Sequence, residues 1–248
     1  MPKLFVISDI HSYLAPMKIA LAEAGFNPED ENHWLIVCGD AFDRGNDSVE
    51  VLRYLMSLER KVLIKGNHDI LFRELCERNF AYSYDKSNGT LKTVHDLGKH
   101  CGDSIADWCQ GAWDRTAAYR DLLVNYFETE NYIFVHSWIP TTQIDPYQCD
   151  YRDDWRDAND SQWEDATWGN PFKLAQDELN QTGKTIVFGH WHCSYGHALT
   201  SGNIVSEFGK DAIWDIYHNK ELGIVGIDRC TAHTGDCNVF VIEDNFLN

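Results

Sequence analysis

The stretch Ile36-Val37-Cys38-Gly39-Asp40-Ala41-Phe42-Asp43-Arg44-Gly45 decides how the chain is read. Trp34 to Cys38 is a short apolar run of the kind that forms a buried strand. Gly39 ends it, and Asp40, Asp43 and Arg44 follow at once. An open α/β sheet builds its ligand site where strands deliver polar residues to their C-terminal edge. One carboxylate there can bind a metal and a second can orient a partner. Arg44 can grip a trigonal anion with its planar fork.

The same order recurs on both sides of this stretch. Leu4 to Ser8 reads as a strand ending in Asp9-Ile10-His11, a carboxylate and an imidazole able to close on one metal. A helix is expected from about Leu14 to Ala24, stopped by Gly25. After Gly45, Ser48 opens a helix to about Leu58, with Val49, Leu52 and Leu55 as its buried stripe. Val62-Leu63-Ile64 is the third strand and ends in Lys65-Gly66-Asn67-His68-Asp69. Asn67 offers an amide oxygen, His68 a general acid or anion-stabilising donor. A helix over about Ile70–Asn79 follows. Three strand–loop–helix units joined by right-handed crossovers put all these loops on one edge of a parallel sheet.

Further along, residues 80–102 read as an irregular surface excursion, with Ser87-Asn88-Gly89 as a turn signal. A helical region is expected over about Ser104–Glu128. Tyr132 to Val135 is a strand ending in His136. Residues 141–170 are acidic and Trp-rich, bracketed or interrupted by Pro140, Pro146 and Pro171. They read as a cap inserted beside the site, with a solvated loop as the competing reading. A helix from Pro171 to about Gln181 leads to the strand Thr185–Phe188, then to Gly189-His190-Trp191-His192, two histidines placed as a metal claw. Strands over about 212–216, 223–227 and 238–242 lack helical spacers, so antiparallel hairpins in a second sheet are expected.

Composition bounds the function. The 248 residues include 39 acidic and 21 basic side chains, a net charge of −18. That field opposes binding to a nucleic-acid backbone. No run approaches the roughly 18 apolar residues of a membrane span. The strand-like start runs straight into Asp9 and does not read as an export signal, so a cytoplasmic location is expected. The eight cysteines include no CxxC pair and read as reduced thiols, most of them small buried hydrophobes. A Cys230–Cys237 bridge stays open.

Taken together, D-x-H, G-D-x-x-D-R-G, G-N-H-D, a strand-end His and G-H-x-H resemble the calcineurin-like metallophosphoesterases. The Arg in G-D-x-x-D-R-G is similar to the phosphoprotein phosphatase branch, which holds Ser/Thr protein phosphatases and symmetrical diadenosine-tetraphosphate hydrolases. The anchors keep the family's order from Asp9 to His192. The resemblance implies one α/β domain over residues 1–248, a four-layer α-β-β-α sandwich with a cap segment at about 140–170. It implies two divalent metals, Mn first and Fe or Zn otherwise, because oxygen and imidazole donors without thiolates suit these ions. Asp9 and His11 would bind the first, Asp40 would bridge, and Asn67, His136 and His190 would complete the second. A histidine at the position of His192 binds the first metal in many relatives but is absent from the Ser/Thr phosphatase branch. Its presence here leans towards the wider pattern.

By the same resemblance, a hydroxide shared by the metals attacks phosphorus, Arg44 and Asn67 bind the phosphoryl group, and His68, oriented by Asp43, protonates the leaving oxygen. Departures from the family pattern are Ser8 and Ser12 in place of Gly, and Asp69 in place of Glu. No second phosphate-binding Arg is visible; Arg152 and Arg156 are the nearest candidates. The leading expectation is a metal-dependent phosphomonoesterase acting on a phosphorylated protein or a small phosphate ester. The alternatives are a diadenosine-tetraphosphate hydrolase, whose Trp-rich cap could stack adenine, and a catalytically silent phosphate-binding module. Against the ligand reading, Asp9 and Asp40 could be helix caps, and His11 and His190 ordinary loop histidines. Asp69 reads as structural, and Trp138 and Trp191 as pocket wall or core.

Overall fold

The computed structural model describes residues 1–145, 148–201 and 207–247. The chain opens with β1 (Lys3–Ile7), α1 (Leu14–Glu23), β2 (His33–Cys38), α2 (Ser48–Ser57) and β3 (Lys61–Ile64). Four helices follow without an intervening strand: α3 (Asn67–Arg78), α4 (Ser83–Asn88), α5 (Thr90–Gly98) and α6 (Ile105–Arg115). The short α7 (Ala117–Arg120) leads to β4 (Leu123–Val124), β5 (Phe127–Glu128) and β6 (Tyr132–Phe134). Then come the hairpin β7 (Thr142–Asp145) and β8 (Gln148–Asp150), α8 (Asp160–Ala166), α9 (Pro171–Gln176) and β9 (Thr185–Phe188). The chain closes with α10 (Cys193–Thr200), β10 (Tyr217–Asn219), β11 (Ile224–Gly226), α11 (Thr231–Thr234) and β12 (Phe240–Glu243).

Two five-stranded sheets result, ordered β12-β1-β2-β3-β4 and β10-β11-β9-β6-β5. The runs β1-β2-β3-β4 and β6-β9-β11 are parallel, while β12, β5 and β10 pair antiparallel at the edges. Alternation along each strand explains the layering. Phe5 and Ile7 of β1, with Leu35 and Val37 of β2, face a helical layer through Met17, Leu21, Val51, Leu55, Leu75 and Leu97. Their neighbours Leu4, Val6, Ile36 and Cys38 face the second sheet and meet Phe134, Val187 and Val225. The outer face of that sheet, Ile133, Ile186 and Phe188, is covered by Phe172 and Ala175 of α9 and by Trp155 and Trp163. Four layers, α-β-β-α, are therefore built from period-2 strands. Each fully buried large apolar side chain contributes roughly 1.5–3 kcal/mol.

Several expectations are corrected. Residues 80–102 are not an irregular excursion: they hold α4 and α5, and Thr90, Thr93, Val94 and Leu97 are buried against the core. The helical region ends at Arg120, and two short strands occupy part of what remains to Glu128. The third long helix starts at Asn67, not Ile70, so Asn67 and His68 stand in its first turn. The buried stripe of α2 is Val51, Leu52 and Leu55, with Val49 only partly covered. The last long helix before β9 stops at Gln176, not Gln181. No strand forms over 212–216; β10 lies just beyond it. The tail is not a set of hairpins in one sheet, because β11 joins β9 in parallel and β12 crosses to β1 of the first sheet.

From Tyr151 to Asn170 the segment is anchored to the core rather than a solvated loop, whereas the strands β7 and β8 are largely exposed. Trp155 and Trp163 are buried, and Glu164 of α8 takes both guanidinium nitrogens of Arg73 on α3. Pro146 lies outside the described residues. Trp138 is core, and Trp191 packs at the margin of the same cluster. All eight cysteines are free, Cys230 and Cys237 included. Among the described residues, no helix is long and apolar enough to cross a membrane.

Candidate active site

Every predicted ligand follows a strand of the two facing sheets: Asp9 and His11 after β1, Asp40 after β2, Asn67 after β3, His136 after β6, and His190 after β9. The loops turn sharply to aim them. Asp9, His11, Asp40, Asp43, Arg44 and His190 all take positive φ, as do Ser12 and Cys230 beside them. Such backbone costs of order 1–3 kcal/mol per residue and collects where geometry serves a site. Ser12 holds its left-handed turn (φ 59) with a hydroxyl bond to Ser48 at 2.9 Å, so the missing glycine is tolerated. Gly66 is required for a different reason: a Cβ there would press on the Asp40 carboxylate and come within 2.6 Å of the Asp40 amide.

The side chains converge on Asp40. His11, Asp40 and His68 form one group with ligand atoms within 4.8 Å of one another, and Asp40, His136 and His190 form another. One Asp40 oxygen lies 3.5 Å from His136 Nε2, the other 3.9 Å from His11 Nε2 and 3.8 Å from His68 Nε2. Asp9 Oδ1 is 3.9 Å from His11 Nε2. His11 donates Nδ1–H to the Phe42 carbonyl and His136 donates Nδ1–H to the Cys38 carbonyl, both at 2.9 Å. That fixes the tautomers and turns both Nε2 lone pairs inward, the usual preparation of a histidine ligand. His136 Nε2 then meets Asn67 Oδ1 at 2.8 Å, two lone pairs face to face, which a cation between them satisfies. Oxygen and imidazole donors grouped in two sets around one shared carboxylate fit a pair of divalent ions.

Electrostatics point the same way. Burial raises the Asp40 pKa, but His136, His68, His11 and His190 outweigh it and hold the carboxyl well below the usual range. Burial and the nearby Asp40 push Asp9 up to about 7. Burial drops His11 and His190 to about 3, so both rings are neutral, the form that binds metals. Burial lowers His68 too, but Asp40 and Asp43 win and carry it up to about 9. His68 donates Nδ1–H to Asp43 Oδ2 at 2.6 Å, and the Thr90 hydroxyl donates to the same oxygen at 2.6 Å. Its Nε2 faces the cavity.

That cavity holds about 210 Å³ and is lined by Asp9, His11, Asp40, Arg44, Asn67, His68, His190, His192, Phe208, Asp228 and Cys230. Arg44, on its exposed side, and the protonated His68 both bring positive charge to it. His192 reaches the wall, but its Nε2 lies 2.8 Å from Glu207 and its Nδ1 2.8 Å from the Ser194 hydroxyl. It belongs to neither ligand group. Asp69 takes the amide of Gly66 at 2.8 Å and the Tyr119 hydroxyl at 3.2 Å, capping α3 as a structural residue. Arg152 is engaged by Asp154 and Arg156 by Glu128. Asp228 was missed. It follows the apolar run Ile224–Ile227, as Asp40 follows Trp34–Cys38, and burial pushes its carboxyl well up. The strand-then-carboxylate signal was there to find.

Comparison with known proteins agrees with this geometry. The chain belongs to the calcineurin-like phosphoesterase family, whose profile matches residues 2–225, and that family uses a dimetal centre. A symmetrical bis(5'-nucleosyl)-tetraphosphatase from Pseudomonas entomophila is 31% identical over 137 residues, covering 55% of this chain and 42% of that protein. One from Pseudomonas syringae is 41% identical over 136 residues, covering 54% and 41%. The chain thus matches about two-fifths of the length of these curated relatives. A solved structure named as a candidate diadenosine tetraphosphatase superposes over all of this chain and 97% of its own, with TM-score 0.52 at 14% identity, a likeness of fold.

Proposed function

We propose that the chain hydrolyses a phosphoanhydride bond of a dinucleoside polyphosphate, with diadenosine tetraphosphate as the first substrate to test. The observation that carries the hydrolase reading is the pair of ligand groups sharing Asp40 in a cavity that also holds Arg44 and His68. The names of the curated relatives favour the anhydride over a phosphomonoester.

In this reading Asp9, His11 and Asp40 would hold one divalent ion, and Asp40, Asn67, His136 and His190 the other. His192 is a wall residue steadied by Glu207. When bound, the ions would supply charge neutralisation for the phosphoryl oxygens and acidify a water. Arg44 grips the phosphoryl group through its guanidinium fork, assisted by the Asn67 amide. His68 carries its acidic proton on Nε2, because Nδ1 is committed to Asp43. It gives that proton to the departing oxygen as the bond to phosphorus breaks. The described part of residues 140–170 would act as the cap, with Trp168 6.3 Å from the His190 ring.

The phosphoprotein reading remains as the second. It requires a further arginine for the phosphate, and Arg152 and Arg156 are both tied to carboxylates. Manganese-loaded full chain should be assayed side by side on diadenosine tetraphosphate, a phosphoserine peptide and p-nitrophenyl phosphate. Faster turnover of the first supports the proposal. Turnover of the peptide alone would replace it with the second reading, and no turnover with Mn, Fe or Zn would leave only a binding module.

A further inference from the structure

Behind the metal-site loops lies a second cavity, of about 230 Å³, with a chemistry of its own. Its walls are Phe42, Phe72, Trp113 and Tyr119. Phe72 and Trp113 present rings parallel to within 9°, centroids 6.5 Å apart. The Arg120 guanidinium lies over Trp113, 3.3 Å from its centroid, and its Nη2 donates to the Trp113 carbonyl at 3.0 Å. A planar array of ring and guanidinium is therefore assembled in advance. Flat heteroaromatic ligands are held by such surfaces through stacking and cation–π attraction.

Two polar features complete the recognition. At one end stands the Asp69 carboxylate, whose two oxygens each accept one hydrogen bond, from Gly66 and from Tyr119. Each oxygen keeps a further lone pair, which an exocyclic amine can use. At the rim, Arg73 is bonded to Glu164 and Arg120 lies on the ring, while Lys65 makes no ion pair within 4.0 Å among the described residues, although its charge adds to the Arg73 bond in lowering the Glu164 pKa. A lysine beside a stacking pocket, with no carboxylate in direct contact, is an anchor for an anionic group. The volume is below the roughly 300–1,000 Å³ that drug-sized ligands occupy. It suits one heterocyclic base, with its phosphate outside at Lys65.

From this juxtaposition of stacked rings, a carboxylate acceptor and a rim lysine, we infer that the cavity is a binding site for a nucleoside monophosphate carrying an amino-substituted base. The site is separate from the metal cavity, with which it shares no lining residue, and it stands whether or not the anhydride is the substrate.

The test uses the metal-loaded full chain and 8-azido-AMP as a photolabel, followed by peptide mapping. The expected label falls on segments 66–73 or 113–123 and is suppressed by excess AMP. Lys65→Ala should weaken labelling about tenfold, the loss of one charge-assisted contact. Lys65 is only partly buried, so this variant should keep the parent's circular dichroism and melting profile. Arg44→Ala should leave labelling of these segments in place. AMP-protected label confined to the peptides carrying His190 or Phe208 would place the nucleotide in the metal cavity and overturn the inference. So would the absence of protected label, or labelling indifferent to Lys65→Ala.

Discussion

Asp43→Asn should damage hydrolysis in proportion to how badly the leaving group needs a proton. The reasoning starts from one contact, the 2.6 Å bond between His68 Nδ1 and Asp43 Oδ2. A hydrogen bond to a charged group is worth about 1.5–3 kcal/mol, and 1.36 kcal/mol is a factor of ten in rate. Losing the carboxylate charge behind the imidazolium should therefore slow an acid-dependent step about 10- to 150-fold. The geometry should survive, because the Asn oxygen can still accept from Thr90, and the Asp43 backbone amide stays bonded to the Thr93 hydroxyl at 3.1 Å. Asp43 Oδ1 has no hydrogen-bond partner among the described residues, so the amide replaces one unpaired atom with another. The assay is kcat on three substrates with bound metal held constant. An alkyl phosphate leaves as a strong base and should show the full loss. p-Nitrophenyl phosphate and diadenosine tetraphosphate leave as stabilised anions and should lose less than about tenfold. An equal loss on all three would refute the role of His68 as proton donor and point to Asp43 as a merely structural clamp.

Other outcomes follow from the same geometry. Gly66→Ala should cost about 1–3 kcal/mol by overpacking and weaken metal binding, because its methyl presses on the Asp40 carboxylate; metal titration by calorimetry beside a denaturant melt checks both. Chelation should lower the melting temperature, since Asp9 and Asp40 are left buried side by side without a cation. Metal at about 100 times its Kd should restore about 2.7 kcal/mol, and a melt unmoved by Mn, Fe and Zn would count against the dimetal site. Asp244, 2% exposed, ties Thr129 and Asn131 to the C-terminal strand through bonds of 2.7–2.9 Å. Burial raises its pKa, but those hydrogen bonds prevail and hold it below the usual value. Its contribution is present above the unfolded pKa of about 3.9 and is lost as pH falls through the lower folded one. Asp244→Asn should cost about 1.5–3 kcal/mol at pH 7 and flatten the acid limb of the stability curve, read by denaturant melts from pH 7 to 2.

What could be read in the chain and what could not divide along one physical line, the distance in sequence over which an interaction acts. A buried parallel strand announces itself within a few residues, and the loop after it must carry whatever the sheet edge presents. Asp9, Asp40, Asn67, His136 and His190 were legible because each obeys that local rule. α5 was not, although Thr90, Thr93, Val94, Leu97 and Gly98 follow helical spacing, because two threonines stand in its buried stripe and mask the apolar pattern. Those threonines are polar for a reason that lies 47 and 50 residues away: Thr90 holds the Asp43 carboxylate and Thr93 its backbone amide. The same holds for Asp85, buried against Arg78, which lent its segment the look of a solvated loop. The crossing of β12 to β1 also has no local signature, since nothing between Phe240 and Glu243 says which sheet edge is free. A helix that looks like a loop, because its buried face is built to satisfy the distant Asp43 carboxylate and amide, is thus itself a mark of the site. It argues that α5 belongs to the active-site scaffold, and that Thr90→Val should loosen Asp43 without emptying the core.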